Sequence, residues 1–421
     1  MKITNNSKKL MLFFTNNKHI SKSTQTQRTR NILLDFYKDI LNAYLDLENV
    51  KSASTNGLYY KLQVKKINNP SQVIKPKMFG AHSFPQAVRN HIDKMSLTEL
   101  TYTFSLFGRN ITIHFVTEED NPDVNLLYNQ YVDAIYMWIY ILSQYASKKC
   151  SNTLVIYLYF TSLEKVLPSS NMQVLDELNV NTAFTTTCPK DSEIVVFRKE
   201  EWFKVLIHET FHNFGLDFSD MNNSEAHKCI LDIFKVESNV NLYESYTEFW
   251  AEIMNALFCS FYTLKNKRNI EKFLSNTTFY INFERTYSYF QLVKTLQFMG
   301  LRYNDLYSNS KHSRILRINL YREKTNVLSY YVIKAILMNN YQGFLHWCQD
   351  HNSSLIQFTK TIKNQREYCE FIKTNYKSAS MIGNILETED FYNKLLIQNQ
   401  KQKTSLNYIL SNMRMSICEL G

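Results

Sequence analysis

The residues in this chain whose types and spacing point most directly to chemistry are His208-Glu209-Thr210-Phe211-His212. On a helix, residues four apart lie one turn apart on one face, so both imidazoles can address a single metal ion. Glu209 then projects to the side, where its carboxylate can hold and deprotonate a water on that metal. The pattern is short and by itself only suggestive. Its neighbours strengthen it: Trp202, Phe203, Val205, Leu206, Ile207, Phe211 and Phe214 mark a helix buried in a core. Two histidines and a glutamate are costly there without partners. A metal accounts for all three, and a pair of satisfied core histidines is the plainer alternative.

Zinc in a catalytic site needs a third protein ligand and an open position. A ligand six residues after the second histidine is excluded, because that position is Phe218, although Gly215 suits the turn such a spacing requires. Asp217 and Asp220 stand at other spacings. A separate helix offers Glu244, Glu248 and Glu252 at intervals of four within Tyr243–Glu252. Glu248, flanked by Phe249, Trp250 and Ala251, is expected to be the third ligand ahead of Glu244. Glu252, one turn on, is expected to accept a hydrogen bond from the distal nitrogen of a liganding histidine. A solvated helix face is the plainer reading of this stripe, against which its aromatic neighbours stand. A donor to a developing oxyanion is also needed. Tyr243 is the first choice, with Tyr246, Tyr330, Tyr331, His227 and His312 behind it. His82, His91, His114, His346 and His351 read as ordinary surface or core residues.

The elements that must position these groups follow from periodicity. Apolar spacing predicts helices over 31–47, from Asp123 to Ala146, over 199–215 with Gly215 as C-cap, over 243–264 and over 325–347. Alternation predicts strands over 58–67, a hairpin of 101–107 and 110–117 around Gly108, and strands over 154–160, 180–186 and 193–198. The fold class expected is α+β, a mixed sheet under long helices followed by an all-α region. The expected division is a flexible basic arm over 1–30, a catalytic unit over 31–270 and a helical region over 271–421.

The motif helix followed by Thr247-Glu248-Phe249-Trp250-Ala251-Glu252 resembles the gluzincin zinc peptidases, including their lethal-factor-like branch. The resemblance places Glu248 on the family's third zinc ligand and implies a zincin-like catalytic domain. The strand Asn181-Thr182-Ala183-Phe184 is similar to the edge strand that binds substrate backbone in thermolysin-like enzymes. Asn181, Ala183 and Phe184 are thereby expected to contact a peptide by β-augmentation. The run 179–219 resembles uncharacterised metallopeptidase-like proteins of large nucleocytoplasmic DNA viruses. In all, the resemblance covers roughly 180–253, under a fifth of the chain. It implies Zn²⁺ as cofactor, a peptide or protein substrate, and peptide-bond hydrolysis with Glu209 as base.

Composition narrows the alternatives. A hydrophobic fraction of 44% and an aromatic fraction of 14% suit a globular chain. No GxxxxGK or GxGxxG run supports nucleotide binding. The net charge of +10 comes from scattered lysines, which speaks against nucleic acid as partner. The exception is 1–34, which holds seven basic residues including Lys2, Lys8 and Arg30 but no acidic one. Seven cysteines without a CxxC pair are expected to be free thiols in a reducing compartment, Cys188 among them. No run reaches the roughly 18 apolar residues of a membrane span. These signs imply a soluble, intracellular protein, in cytoplasm or a virion. The rival reading is a catalytically silent zinc-containing structural or virion protein, which an intact Glu209 argues against.

Overall fold

A six-stranded mixed sheet, with helices on both faces, carries the motif helix. The computed structural model describes residues 1–54, 56–120, 127–402 and 406–421. Its first half runs α1 (Asn5–Asn16), α2 (Gln27–Ala53), β1 (Lys61–Lys66), α3 (Gln86–Met95), β2 (Thr98–Leu106), β3 (Arg109–Thr117), α4 (Asn129–Tyr145) and β4 (Thr153–Phe160). There follow α5 (Glu177–Val180), β5 (Ala183–Thr185), β6 (Asp191–Val196), α6 (Trp202–Asn213), α7 (Ser224–Ile233) and α8 (Leu242–Tyr262). The remainder is α9 (Ile270–Phe298), α10 (Lys311–Leu320), α11 (Lys334–Asn339), α12 (Tyr341–His351), α13 (Ile362–Asn375), α14 (Ala379–Gln402) and α15 (Asn407–Ser411).

The strand order is β1-β2-β3-β4-β6-β5, antiparallel at both ends and parallel where β3, β4 and β6 meet. The predicted hairpin is present: Leu106 pairs with Arg109 across Phe107 and Gly108, both at positive φ. A two-residue turn of that kind matches the strands' twist. Along the strands, Leu154, Ile156, Ile194 and Val196 point to the main core, while Tyr157, Tyr159, Val195 and Phe197 meet α3 on the opposite face. The predicted strand over 180–186 is shorter than expected. Asp176 accepts the Leu178 N–H and Asn179 accepts the Asp176 N–H, so 177–180 closes as the turn α5 before β5 begins.

One expectation lies in part outside the described residues, and one falls. Asp123, the expected start of a long helix, lies outside the described residues, and α4 is described from Asn129. The helix expected over 325–347 is broken into a π-helical turn at Leu328–Ile333, then α11 and α12. Asn340 leaves the helical region and caps the next helix by accepting the Gly343 N–H.

The N-terminal stretch is not a flexible arm. Thr4 caps α1, whose Leu10, Met11 and Phe14 are buried. Phe14 is fully buried, edge-on to Phe290 at 5.3 Å and to Tyr287 at 6.0 Å. The apolar run Leu10–Phe14 outweighs the polar, basic composition around it. The chain ends are also joined: the Lys2 N–H donates to the Gly421 carbonyl at 3.0 Å and the Gly421 N–H to the Lys2 carbonyl at 2.9 Å. A single buried cluster runs from Ile3 to Leu420, so the expected boundary at 270 falls inside one continuous core.

Replacing Phe14 with Ala should lower the free energy of urea unfolding by about 3–5 kcal/mol. A flexible arm would give a change within about 0.5 kcal/mol.

Candidate metal centre

Helix α6 lies against β5 and β6 and crosses α8. Gly215, at φ +66°, ends it; the Gly215 N–H donates to the His212 carbonyl at 3.0 Å and the Leu216 N–H to the Phe211 carbonyl at 2.9 Å. Glycine reaches this backbone conformation at no steric cost. From α4, the Trp138 indole N–H donates to the Thr210 hydroxyl at 2.8 Å, which fixes the rotation of the motif helix. His208 and His212 therefore face α8 together, 6% and 9% exposed.

Across from them stands Glu244, its side chain 12% exposed. Its Oε2 lies 3.1 Å from His208 Nε2 and 3.4 Å from His212 Nε2, and the two Nε2 atoms are 3.2 Å apart. These three donors, all within 4.8 Å of one another, could hold a metal ion. Among the described residues this is the one such group. Glu244, not Glu248, is the carboxylate brought to the ring nitrogens.

Glu248 takes a different place. Its Oε2 is 2.8 Å from His208 Nδ1, and its Oε1 accepts from Lys204 Nζ at 2.5 Å. One helical turn separates the two glutamates, and the crossing of α8 over α6 puts the earlier one at the Nε2 atoms and the later one behind the His208 ring, at Nδ1. The role expected of Glu252 thus belongs to Glu248. Glu252 is fully buried another turn on and accepts from Lys334 Nζ at 2.5 Å, out of reach of either histidine. Behind His212, Asp217 Oδ2 lies 2.5 Å from Nδ1. Both histidines are thus held through Nδ1 by a carboxylate, the usual arrangement for fixing a metal ligand's tautomer and ring angle. Sequence reasoning weighed Asp217 only as a ligand and set it aside, and it missed Lys204. The signals were a lysine one turn before His208 in an apolar helix, and an aspartate two residues past the C-cap glycine.

Electrostatics follow from this crowding. Burial opposes charge on His208 and His212, yet Glu244 and Glu248 around the first, and Asp217 with Glu244 around the second, outweigh it and raise both pKa values. Burial also opposes charge on Glu244 and Glu248, but His212 and Lys204 respectively hold these carboxyls well below their usual range. Glu209 differs: burial raises its pKa, against a smaller pull from the two imidazoles. Among the described residues its carboxylate makes no hydrogen bond to protein, and it lines the recess beside the triad. A carboxylate of raised pKa facing open space is the form a general base takes.

The oxyanion candidates separate clearly. Tyr243 stands edge-on to His212 at 5.9 Å, and its ring is outside the recess. Tyr330, on the π-helical turn, lines the recess and donates to Glu244 Oε2 at 2.9 Å. Tyr246 and Tyr331 donate to the Ile356 and Met413 carbonyls in the core. His227 lies within 3.2 Å of the Val240 carbonyl, and His312 sits on α10 at another cavity.

β5 is the edge strand of the sheet and borders the recess, with Asn181 and Ala183 in its lining. Asn181 Oδ1 is occupied by the Thr325 hydroxyl at 2.9 Å. Phe184 points the other way, 5.4 Å from Phe84 in the core under α3, because alternate strand residues face opposite sides. Cys188 is not a free thiol: it forms a disulfide with Cys150, and its N–H donates to the His212 carbonyl at 3.3 Å. The other five cysteines are free.

Comparison with protein-family models, curated proteins and solved structures finds no match to this chain.

Two outcomes are expected. By elemental analysis, Glu244→Gln should lose the metal, whereas Glu248→Gln should keep it with affinity reduced roughly 10- to 100-fold; the reverse pattern would restore Glu248 as ligand. The second concerns pH. Histidines whose folded pKa is raised stabilise the metal-free protein in full below their unfolded value of about 6.5, and that stability is lost as pH rises through the folded pKa. Melting of the metal-free protein should therefore weaken above pH 6.5, while apparent metal affinity rises as protons cease to compete. A metal affinity flat between pH 6 and 8 would contradict this.

Proposed function

We propose that the protein is a zinc-dependent hydrolase that cleaves peptide bonds, with His208, His212 and Glu244 as the residues that hold the metal. The observation that carries the reading is a complete division of labour around one recess: three converging metal donors, a carboxylate without a hydrogen-bond partner among the described residues, and a phenol beside both. Zinc fits the donor set. Two imidazoles and one carboxylate leave a position open, and the edge of a tetrahedron with bonds of roughly 2.0–2.1 Å is about 3.3 Å, close to the donor separations here. When bound, such a metal supplies a Lewis acid that acidifies water and polarises a carbonyl oxygen.

The chain's own residues supply the rest. Glu209 takes the proton of the attacking water and passes it to the leaving amine nitrogen, a task its place in the recess beside the three donors suits. The Tyr330 hydroxyl, now on Glu244, is placed to donate to oxygen that gains negative charge at the carbonyl. The edge strand β5 offers backbone on which an extended peptide can add as a further strand. Glu248 and Asp217 keep the imidazoles oriented, and Lys204 neutralises Glu248 so that it stays ionised in the core.

Glu209→Gln should retain the metal and lower peptide hydrolysis about 10²–10⁴-fold. Tyr330→Phe should lower kcat about 10²–10³-fold with little change in metal content. Both are measured with zinc-loaded protein and quenched-fluorescence peptides. Metal retained together with activity unchanged in Glu209→Gln would end the hydrolase reading in favour of a structural zinc site.

A further inference from the structure

Asp217, two residues past the glycine that ends α6, is fully buried with its Oδ2 on His212 Nδ1. Its other oxygen, Oδ1, accepts the Ser219 hydroxyl at 3.0 Å. The Ser219 oxygen in turn lies 2.9 Å from the Thr187 hydroxyl, which donates to it because the Ser219 proton is committed to Asp217. Two hydroxyls in line thus run from the β5–β6 loop to the carboxylate behind His212. A carboxylate bonded at both oxygens turns about its last torsion only by breaking one of the bonds, so the imidazole it holds keeps its angle to the metal position.

The donor end of that line is fixed covalently. Thr187 precedes Cys188, whose disulfide with Cys150 ties the β5–β6 loop to the turn before β4. Cys188, and Ser151 next to Cys150, both hold left-handed backbone, at φ 47° and 55°. Residues with a β-carbon keep that conformation only where their surroundings impose it. Here the surroundings are the last turn of α6. The Cys188 N–H donates to the His212 carbonyl, and the Ser151 hydroxyl lies 2.5 Å from Asn213 Oδ1. Both sulfurs press on the same turn, each 3.6 Å from where a β-carbon at Gly215 would stand. The turn has a second anchor, the Phe358 N–H on the Leu216 carbonyl at 2.8 Å. Opening the disulfide therefore frees the Thr187 end of the line while the turn itself stays attached.

We propose that the Cys150–Cys188 disulfide positions His212 for the metal through Thr187, Ser219 and Asp217, so that reduction of the bond by a dithiol weakens metal binding. This rests on the metal-binding part of the reading above. In the redox step the dithiol gives up two electrons and two protons: its S–H groups close into one S–S bond, and the Cys150–Cys188 bond becomes two thiols. Thr187, Ser219 and Asp217 act through His212 and are positioning residues.

The test reads zinc affinity by chelator competition on full-length protein, oxidised and after reduction with a phosphine, which avoids a dithiol's own hold on zinc. A rise from five free thiols to seven confirms the reduction. Wild type should lose about 10-fold in affinity when reduced, the low end for loss of an outer partner of a liganding imidazole. The double variant Cys150→Ser with Cys188→Ser should match reduced wild type. Ser219→Ala and Thr187→Val should show the loss already when oxidised, and change by less than about 2-fold on reduction, because the line is already cut. Thr187→Ser, which keeps the hydroxyl, should behave as wild type in both states. Wild-type affinity that moves less than about 2-fold on reduction, or a reduction effect of full size in Ser219→Ala, would overturn the proposal while leaving the metal centre in place. Oxidised wild type that binds no zinc would overturn both.

Discussion

The carboxylates of Glu244, Glu248 and Asp217 converge on two imidazoles in a core from which water is nearly excluded. Charges in such a place are strongly unfavourable unless each finds an opposite charge or a hydrogen-bond donor. Much of the surrounding architecture answers that demand. Lys204 neutralises Glu248, and Lys334 neutralises Glu252. Lys165 neutralises Glu201, which in turn holds the C-terminal segment. In the metal-free protein the surrounding carboxylates favour protons on the histidines, and a divalent cation could take the place of those protons. The surplus of carboxylate around the two imidazoles favours a cation there over an anion. Adding one more carboxylate there, without a metal, would leave unpaired negative charge in the core.

Precision at the centre comes from elements far apart in sequence. The sheet fixes α6 from one side and α4 fixes its rotation through Trp138 and Thr210. The disulfide Cys150–Cys188 packs against Gly215, where a β-carbon would stand 3.3 Å from Cys188 Cβ. Glycine at 215 is thus required twice, for its positive φ and for the close approach behind His212. The π-helical turn at Leu328–Ile333 brings Tyr330 over the donors. Such turns are rare, and they recur at functional sites because they redirect one side chain without ending the helix.

What was legible in the sequence was local. The spacing of His208 and His212, the C-cap at Gly215 and the hairpin at Gly108 follow from short-range rules, whereas the edge position of β5 was implied only by the family resemblance. The choice between Glu244 and Glu248 did not, because both lie on one helix stripe and only the crossing of α8 over α6 decides which reaches the Nε2 atoms. Tyr330 was one of 28 tyrosines, and its selection depends on a π-helical turn that periodicity alone reads as ordinary helix. The Cys150–Cys188 pair spans 38 residues and leaves no local signature. At the N-terminus, composition favoured an unattached arm, and Leu10, Met11 and Phe14 decided otherwise by packing into the core.

Zinc K-edge X-ray absorption on the zinc-loaded protein tests the central claim most directly. The account predicts imidazole scattering from two histidines, with oxygen completing four-coordination at roughly 2.0–2.1 Å and no sulfur. A zinc–sulfur shell near about 2.3 Å, or the absence of imidazole scattering, would contradict it.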